Sequence, residues 1–314
     1  MNIVFFGSGA FGIPTLAALA ERHTLKHIVT QPDRRAGRGR RLTPTPIAQW
    51  AAAHALGSPV LKAERVNEHE VVERIRAVDA DAWVVIAFGQ KLGSPLLADR
   101  FAINLHASLL PRWRGAAPIN HAILAGDAET GNSVITLADR MDAGQVLGQT
   151  RRAIDPAVTA GELHDLLSAD GPALVLDVLD QHASGSLDPH RQDETAVTLA
   201  PKLYKDEGWL NFALPADFIK RVVHGLTPWP GAAAALGGKR LSIRRAEHSD
   251  AHAQEEPGTI VDAALGLISC GRGTALRVLE VQPAGKRAMA WADFARGAGV
   301  RSGDRFDEDE PNGR

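Results

Sequence analysis

The N-terminal half of this chain alternates short apolar runs with helical stretches, and this alternation limits the possible folds more than any other feature. Strands are predicted over the apolar runs at residues 3–6, 27–30, 82–87, 102–105, 133–137 and 146–154. Helices are predicted between several of them, as at residues 68–78 and 116–125, and a long helix follows at 160–182. Strands that alternate with helices form a mostly parallel sheet covered on both faces. We therefore expect an open, Rossmann-like α/β domain.

The second half of the chain has a different pattern. Residues 184–194 are polar and turn-rich, and beyond residue 205 short apolar pieces are separated by glycines. This pattern predicts a small all-β barrel of the OB-like kind. A chain of 314 residues is long enough for two domains. The expected division is an N-terminal catalytic domain over 1–189, a linker over 190–207, a C-terminal β-barrel over 208–303 and a polar tail over 304–314.

Charge and cysteine content narrow the class of protein. A net charge of -2 argues against a protein that coats nucleic acid nonspecifically, because such binding needs many basic contacts on one surface. The single cysteine, Cys270, excludes an internal disulfide and favours a reduced compartment. The chain opens on a strand-like run and has no apolar stretch of membrane-spanning length. We expect a cytoplasmic monomer with no membrane contact and no metal.

A glycine motif between the first strand and the first helix allows two interpretations. Gly7-x-Gly9-x-x-Gly12 matches the fingerprint of dinucleotide-binding domains, and Asp33 follows at about the distance of a ribose-binding acid. Asp33 nevertheless lies in a loop beside Pro32, past the strand end. We favour a tight turn from strand to helix at the edge of the sheet. A nicotinamide-dependent oxidoreductase remains the more distant alternative.

A cluster of arginines follows the second strand. Five of them occur within eight residues, namely Arg34, Arg35, Arg38, Arg40 and Arg41. The intervening Ala36, Gly37 and Gly39 help to keep the stretch from forming a stable helix. Runs of like charge are usually solvated loops, but arginine alternating with glycine also suits a segment that becomes ordered on a phosphate backbone. A local nucleic-acid contact therefore stays open.

Asn104 and His106 are the first candidates for catalysis. They lie two residues apart at the end of the strand predicted over 102–105, so their side chains share a face. Ligands of open α/β sheets bind at this edge. Transfer of an acyl group to an amine needs a donor for the developing oxyanion and a group that accepts the amine proton. An asparagine amide and an imidazole supply these functions, although an isolated Asn-x-His is more often a turn cap beside an ordinary polar residue.

The sequence that follows this pair is distinctive. Ser-Leu-Leu-Pro-Arg is followed closely by Arg-Gly-Ala-Ala-Pro-Ile, within residues 104–119. With it, the chain resembles the formyltetrahydrofolate-dependent formyltransferases, and in particular the branch that acts on methionyl-tRNA. The resemblance covers nearly the whole chain and includes residues 31–34, 37–39, 84–89, 125–131, 141–144, 192–195, 228–230 and 282–286.

The resemblance implies roles for individual residues. Asn104 and His106 are catalytic in this interpretation, joined by Asp142 from a Met-Asp-Ala-Gly sequence. A carboxylate near an imidazole stabilises the imidazolium or orders a relay water, whereas Asp142 taken alone reads as a turn residue. The implied folate-binding residues are Phe88, Gly89, Ser108, Leu109, Leu110 and Pro111. Ala107 and Ala143 stand where the family pattern leads us to expect glycine and threonine, and neither change removes a catalytic group.

The resemblance also implies the two substrates. The formyl donor is 10-formyltetrahydrofolate, and the C-terminal half points to initiator methionyl-tRNA as the acceptor, with a role in translation initiation. The implied tRNA-binding residues are Arg34, Arg35, Arg38, Arg40 and Arg41 in the N-terminal half, with Lys286 and Arg287 near the end. The nearer alternative is the same chemistry on a small-molecule amine, such as a nucleotide-sugar or a purine precursor.

Overall fold

The computed structural model describes residues 1–36, 39–54 and 57–307. By its internal contacts the chain divides into two compact units, and each is assembled from separate stretches of sequence. The first unit contains Met1–Ala116, Thr130–Arg152 and His164–Ala200, and the second contains Ala117–Glu129, Ala153–Leu163 and the described residues from Pro201 onward. The domain, linker and tail boundaries expected at residues 189, 207 and 303 stay a prediction.

The helices and strands are numbered in chain order. The helices are α1 (Ile13–Arg22), α2 (Pro46–Ala53), α3 (His69–Arg76), α4 (Ser94–Leu97), α5 (Pro118–Ala125), α6 (Ala160–Ser184), α7 (Ala216–Gly225) and α8 (Trp291–Ala298). The strands are β1 (Asn2–Gly7), β2 (Thr24–Thr30), β3 (Arg34–Ala36), β4 (Arg41–Thr43), β5 (Val60–Lys62), β6 (Ala82–Ile86), β7 (Ala102–His106), β8 (Arg114–Gly115), β9 (Glu129–Thr136), β10 (Val146–Ala153), β11 (Leu199–Ala200), β12 (Ala232–Leu236), β13 (Lys239–Ser249), β14 (Ile260–Asp262), β15 (Leu267–Cys270), β16 (Thr274–Pro283), β17 (Met289–Ala290) and β18 (Phe306–Asp307). Within the described ranges, no helix has the length and apolar character needed to cross a membrane.

The first unit is built on a seven-stranded sheet with the order β10-β9-β7-β6-β1-β2-β5. Strands β5, β2, β1, β6 and β7 run parallel, and β9 is antiparallel to β7. The mostly parallel, Rossmann-like sheet expected from the sequence is therefore confirmed. The chain passes from β1 to β2 and β5 on one side and continues with β6 on the other, so the strand order reverses beside β1. Open α/β sheets bind ligands at such a reversal, at the carboxyl ends of the strands.

The glycines after β1 are explained by close packing. A Cβ atom added to Gly7 would lie 2.5 Å from a ring carbon of Phe5, and one added to Gly12 would lie 3.1 Å from the same ring. A larger residue would force this turn away from the sheet, as the tight-turn interpretation expects. Asp33, the candidate ribose-binding acid of the alternative, forms an ion pair with Lys62 at 2.6 Å.

The second unit contains an antiparallel, nearly closed sheet with the order β14-β15-β16-β13-β12-β18, and β17 pairs with β16. This confirms the expected β-barrel. The region is not all-β, however, because the amphipathic helices α7 and α8 pack against the sheet. Their buried positions, such as Ile219 with Val223 and Trp291 with Ala295, are four residues apart. Neither helix was predicted from the sequence.

His224 is a buried histidine near the end of α7. Its Nε2 atom accepts a hydrogen bond from the backbone N–H of Ala246 at 3.3 Å. Burial, followed by the positive charges of Lys220 and Arg245, lowers the pKa of His224 to about 4. The neutral imidazole is therefore the form that stabilises this unit.

We expect acid to destabilise the second unit through His224. An unfolded histidine, with its pKa of 6.5, gains a proton before the folded one does, so stability is lost as the pH falls from 6.5 toward about 4. The shift corresponds to a loss of about 2–3 kcal/mol over that window. Urea unfolding of the wild type and of His224→Gln, at pH 6.5 and at about pH 4, measures this loss of stability. Because glutamine does not titrate, the variant should lose less stability, and an equal loss in both proteins would contradict this role.

Candidate active site

Asn104 and His106 lie at the carboxyl end of β7, as the sequence predicted. β7 is parallel to β6, with Asn104 opposite Val85, and antiparallel to β9, with His106 opposite Ser133. Their side chains project from the same face because they are two residues apart in a strand. Asn104 is half-buried and His106 is buried. The pair therefore lies at the carboxyl edge of the sheet, with β6 between it and the strand-order reversal beside β1, and ligands of this fold bind at that edge.

The ring of His106 has two different neighbours. Its Nε2 atom lies 2.9 Å from the backbone oxygen of Trp113, and its Nδ1 atom lies 3.6 Å from Oδ2 of Asp142. A carbonyl oxygen only accepts, so the neutral ring carries its hydrogen on Nε2. The lone pair is then on Nδ1, on the side of the carboxylate. A proton taken up at Nδ1 would be stabilised there by the negative charge of Asp142.

Asp142 lies in a sharply bent loop between β9 and β10. It has a φ of 54°, in the left-handed region that few non-glycine residues adopt. Its Oδ2 atom accepts a hydrogen bond from the backbone N–H of Gly115 at 2.9 Å. Two residues on, a Cβ atom at Gly144 would lie 1.6 Å from the backbone oxygen of Thr136, so only glycine fits. The bend directs the carboxylate toward His106 rather than toward solvent.

A polar cluster, in which Arg114 is buried and Glu194 is 55% exposed, supports this loop. No role was predicted for its members from the sequence. Gln192 donates from Nε2 to the backbone oxygens of Asp142 and Gly144, at 2.7 Å each. Arg114, which is buried, donates to Gln192 Oε1 at 2.9 Å and to Glu194 Oε1 at 2.9 Å. The hydrogen bond from Arg114, with a second one from Arg140, lowers the pKa of Glu194 to about 2. Glu194 is thus ionised across the pH range in which enzymes work.

The predicted folate loop after β7 is held in a fixed conformation by polar contacts. Ser133 Oγ donates to the backbone oxygen of Ser108 at 2.6 Å and accepts from the backbone N–H of Leu110 at 3.1 Å. Gln149 donates to the backbone oxygen of Leu110 at 3.0 Å and to Ser133 Oγ at 2.8 Å. Ser108 and Leu110 are buried, whereas Leu109 and Pro111 are partly exposed. A ligand in this region would meet a preformed surface.

Phe88 and Gly89 follow β6 and lie beside the glycine turn. The Phe88 ring is buried against Phe6, with 5.7 Å between the ring centroids, so a ligand would reach its backbone rather than its ring. The backbone oxygen of Phe88 accepts hydrogen bonds from Ser8 Oγ at 3.1 Å and Gln31 Nε2 at 2.9 Å. Gly89 has a φ of 80°, and a Cβ atom there would lie 2.4 Å from Gln31 Nε2. Ser8 in this turn and Gln31 after β2 are polar residues for which no role was predicted from the sequence.

The arginine cluster forms a β-hairpin over its described residues. β3 and β4 are antiparallel, and they pair Arg34 with Thr43 and Arg35 with Leu42. Arg35 donates to the backbone oxygen of Arg40 at 3.1 Å, which closes the hairpin on itself. Arg34, Arg35, Arg40 and Arg41 are exposed. Arg38 lies outside the described residues.

The other two basic candidates, Lys286 and Arg287, lie between β16 and β17. Both are exposed. The backbone of Lys286 donates to Pro283 at 3.0 Å and accepts from Gln282 Nε2 at 2.9 Å. The position of these side chains on a tight turn leaves them available to a negatively charged partner.

The fold thus presents an imidazole–carboxylate pair at the carboxyl edge of its open α/β sheet. The N-terminal part matches the family model described as formyl transferase over residues 1–179, and residues 202–299 match the formyl transferase C-terminal domain. The chain belongs to the formyl transferase family.

Relatives and solved structures extend this comparison. A protein of Methylococcus capsulatus is 44% identical over 94% of this chain and 96% of its own length, and one of Leifsonia xyli is 43% identical over 95% and 98%. Both are named methionyl-tRNA formyltransferase. An N-formyltransferase of Helicobacter canadensis, solved with folinic acid and dTDP-3-aminofucose, is similar with a TM-score of 0.68, 12% identity and coverage of 90% of this chain and 98% of that chain. HypX from Aquifex aeolicus, solved with tetrahydrofolic acid, has a TM-score of 0.61 and 15% identity, and the match covers 93% of this chain and 46% of HypX. At such identities the two structures support the fold alone.

Proposed function

We propose that this chain transfers the formyl group of 10-formyltetrahydrofolate to the amino group of initiator methionyl-tRNA. The observation that carries the proposal is the His106–Asp142 pair, with Nδ1 of the ring 3.6 Å from the carboxylate at the carboxyl edge of the sheet. Relatives that share 37–44% of the sequence over nearly the full chain bear the name methionyl-tRNA formyltransferase. The product, N-formylmethionyl-tRNA, serves translation initiation.

His106 is the proton acceptor in this mechanism. The nitrogen of the acceptor amine attacks the formyl carbon, so a C–N bond forms and the nitrogen must lose a proton. With Nε2–H bonded to the backbone oxygen of Trp113, Nδ1 is the free base. It takes the proton directly or through a water molecule, and Asp142 stabilises the resulting imidazolium.

Asn104 stabilises the negative charge that develops on the formyl oxygen. The formyl oxygen becomes an oxyanion in the tetrahedral intermediate, and the side-chain N–H of Asn104 donates to it. When the intermediate collapses, the bond to the donor nitrogen of the folate breaks and that nitrogen is protonated. The imidazolium of His106 is the nearest source of this proton. No step requires a metal, because the formyl group is already an activated acyl group.

The folate co-substrate would lie along two neighbouring strand ends. Leu109 and Pro111 are the partly exposed residues of the loop after β7, and the backbone at Phe88 and Gly89 lies after the adjacent strand β6. A pterin ring has donors and acceptors on one edge, which suit backbone groups of this kind. The buried Ser108 and Leu110 would act by holding the loop.

The tRNA would be held by the exposed basic residues and by the barrel unit. We propose that the hairpin arginines contact the acceptor end, and that Lys286 and Arg287 contact the backbone elsewhere. Arginine suits this role because its guanidinium bonds two phosphate oxygens or two base acceptors at once. We further propose that the protein acts as a cytoplasmic monomer, since neither substrate requires a membrane or a second subunit.

A comparison of acceptors tests the proposed function. The full chain is supplied with 10-formyltetrahydrofolate and, separately, with methionyl-tRNA, an amino sugar nucleotide and a purine-precursor amine. We expect formylation of methionyl-tRNA to exceed that of either small amine by orders of magnitude. Preference for a small amine would support the alternative, which the full-length similarity to methionyl-tRNA formyltransferases does not favour.

The arginines of the cluster at residues 34–41 should differ in what they contribute to tRNA choice. Arg38 lies between Gly37 and Gly39, which allow close approach of the backbone to nucleic acid. We expect Arg38→Ala to cost about 1–3 kcal/mol and to weaken discrimination between initiator and elongator methionyl-tRNA. Arg41→Ala should weaken the binding of both tRNAs alike. It should also reduce the slope of log affinity against log salt concentration by about 1.

Formylation of both tRNAs at two salt concentrations measures these effects. Arg65→Ala is the matched control, because Arg65 is a highly exposed arginine of the same unit outside the hairpin. Hairpin variants that match the parent and the control in rate, discrimination and salt dependence would leave the hairpin as a solvated connection.

A further inference from the structure

The side-chain amide of Gln192 forms hydrogen bonds through both its nitrogen and its oxygen next to the Asp142 loop. Both of its Nε2 hydrogens have carbonyl acceptors, because Nε2 lies 2.7 Å from the backbone oxygens of Asp142 and of Gly144. Its Oε1 atom accepts from Nε of Arg114 at 2.9 Å. Only a primary amide offers two donors and one acceptor in this arrangement. The match is specific to glutamine rather than to any polar residue.

Arg114 fixes the orientation of that amide. Its side chain is 6% exposed and forms an ion pair with Glu194 at 2.9 Å, so its charge is compensated within the same cluster. Because an arginine N–H donates only, the oxygen of the Gln192 amide must face it and the nitrogen must face the loop. The cluster therefore supplies donors in a set direction to the backbone of Asp142.

The loop needs such support because its conformation is strained. Asp142 has a φ of 54°, and the missing side chain of Gly144 allows a backbone approach that a Cβ atom would block at 1.6 Å. Strained backbone persists where the surroundings over-determine it. The two hydrogen bonds from Gln192 hold the backbone at both ends of this bend, at Asp142 and at Gly144.

The segment that contains Gln192 also restrains Trp113, whose carbonyl bonds the ring of His106. Thr198 Oγ1 accepts from the backbone N–H of Trp113 at 2.9 Å, and the backbone oxygen of Thr198 accepts from Arg114 N–H at 2.9 Å. Trp113 in turn supplies the carbonyl that bonds Nε2 of His106. Residues 192–198 thus contact the backbone on both sides of the His106–Asp142 pair.

We propose that Gln192 is a positioning residue for the transfer reaction: it holds the Asp142 backbone so that the carboxylate faces Nδ1 of His106. Gln192 touches neither substrate. The inference rests on the proposed function, in which His106 and Asp142 carry the proton chemistry. Misplacement of a catalytic group by about 1 Å can cost on the order of a hundredfold in rate.

Two variants of the full chain test the inference, with methionyl-tRNA and 10-formyltetrahydrofolate as substrates. Gln192→Leu removes the donors, and Gln192→Glu keeps the size and the bond to Arg114 but places a carboxylate oxygen against two carbonyl oxygens. We expect each to lower kcat by about 10- to 100-fold, with KM for both substrates within about twofold. Gln49→Glu is the matched control, since Gln49 donates to the backbone oxygen of Pro44 at 2.8 Å on the exposed side of α2. If Gln192→Leu does not fold, Gln192→Glu carries the test.

A double-mutant cycle separates positioning from a general structural role. In the Asp142→Ala background a positioning residue has nothing left to position, so Gln192→Glu should cost less than about twofold there. An equal cost in both backgrounds, or kcat near the wild-type value in a folded Gln192 variant, would overturn the inference. Wild-type turnover in Asp142→Ala itself would instead refute the mechanism of the proposed function, and the two failures are therefore distinguishable.

Discussion

Replacement of His106 by alanine is expected to lower formylation turnover at least about a hundredfold, the scale of loss of a general base. The ring is the group whose Nδ1 atom is left free by the hydrogen bond of Nε2 to Trp113. Without it the attacking nitrogen keeps its proton, and the tetrahedral intermediate reverts to substrates. Rapid-quench measurement of formyl transfer under saturating folate and tRNA gives the rate.

His69→Ala is the control for this variant. His69 begins α3, its side chain is 84% exposed, and its ring pairs with Glu73 on the same helix. His69→Ala should unfold within a few degrees of the wild type, because surface substitutions change stability little. His106→Ala should remain folded, and its unfolding temperature is measured alongside its turnover. A folded His106→Ala protein with the turnover of the control would show that the proton leaves by another route.

Replacement of Asp142 by asparagine is expected to be about as damaging as its replacement by alanine, at least about a hundredfold in turnover. Asparagine can still accept the hydrogen bond from the Gly115 N–H with its oxygen. The atom that accepts this bond, Oδ2, is also the one that lies 3.6 Å from Nδ1 of His106, so the substitution keeps an oxygen there but removes the negative charge that stabilises the imidazolium. The loss thus comes from charge rather than from volume.

Turnover of Asp142→Asn, Asp142→Ala and the control Asp139→Asn tests this expectation. Asp139 is a neighbouring carboxylate of the same loop region, and its side chain has no contact with His106 among the described hydrogen bonds and ion pairs. Full activity in Asp142→Asn with loss in Asp142→Ala would indicate that Asp142 acts by size or by a neutral hydrogen bond. The hypothesis that the negative charge of Asp142 stabilises the imidazolium of His106 would then be wrong.

The sequence predicted the first sheet well because its signals are local. The apolar runs of β1 and β6 are continuous, as buried parallel strands require. Asn104 and His106 could be found because a two-residue spacing at a strand end places two side chains on one face. Asp142 could be added only through resemblance, since nothing in its local sequence shows that the loop bends back to His106.

Other features could not be predicted because they depend on contacts distant in sequence. Gln192 lies 50 residues from the backbone oxygen of Asp142 that it contacts, and no spacing rule connects an amide to a carbonyl so far away. Arg114 gave no signal of burial, because a buried arginine depends on a partner such as Glu194 from elsewhere in the chain. The division into two units of mixed segments is also a property of contacts, not of linear composition.

Single-turnover transfer of labelled formyl from 10-formyltetrahydrofolate to methionyl initiator tRNA, by the wild-type chain and by His106→Ala, tests the proposed chemistry most directly. The label should move to the methionine nitrogen within one turnover of the wild type, and the rate should fall at least about a hundredfold in the variant. Absence of labelled N-formylmethionyl-tRNA with the folded wild type, or equal rates in the two proteins, would contradict it.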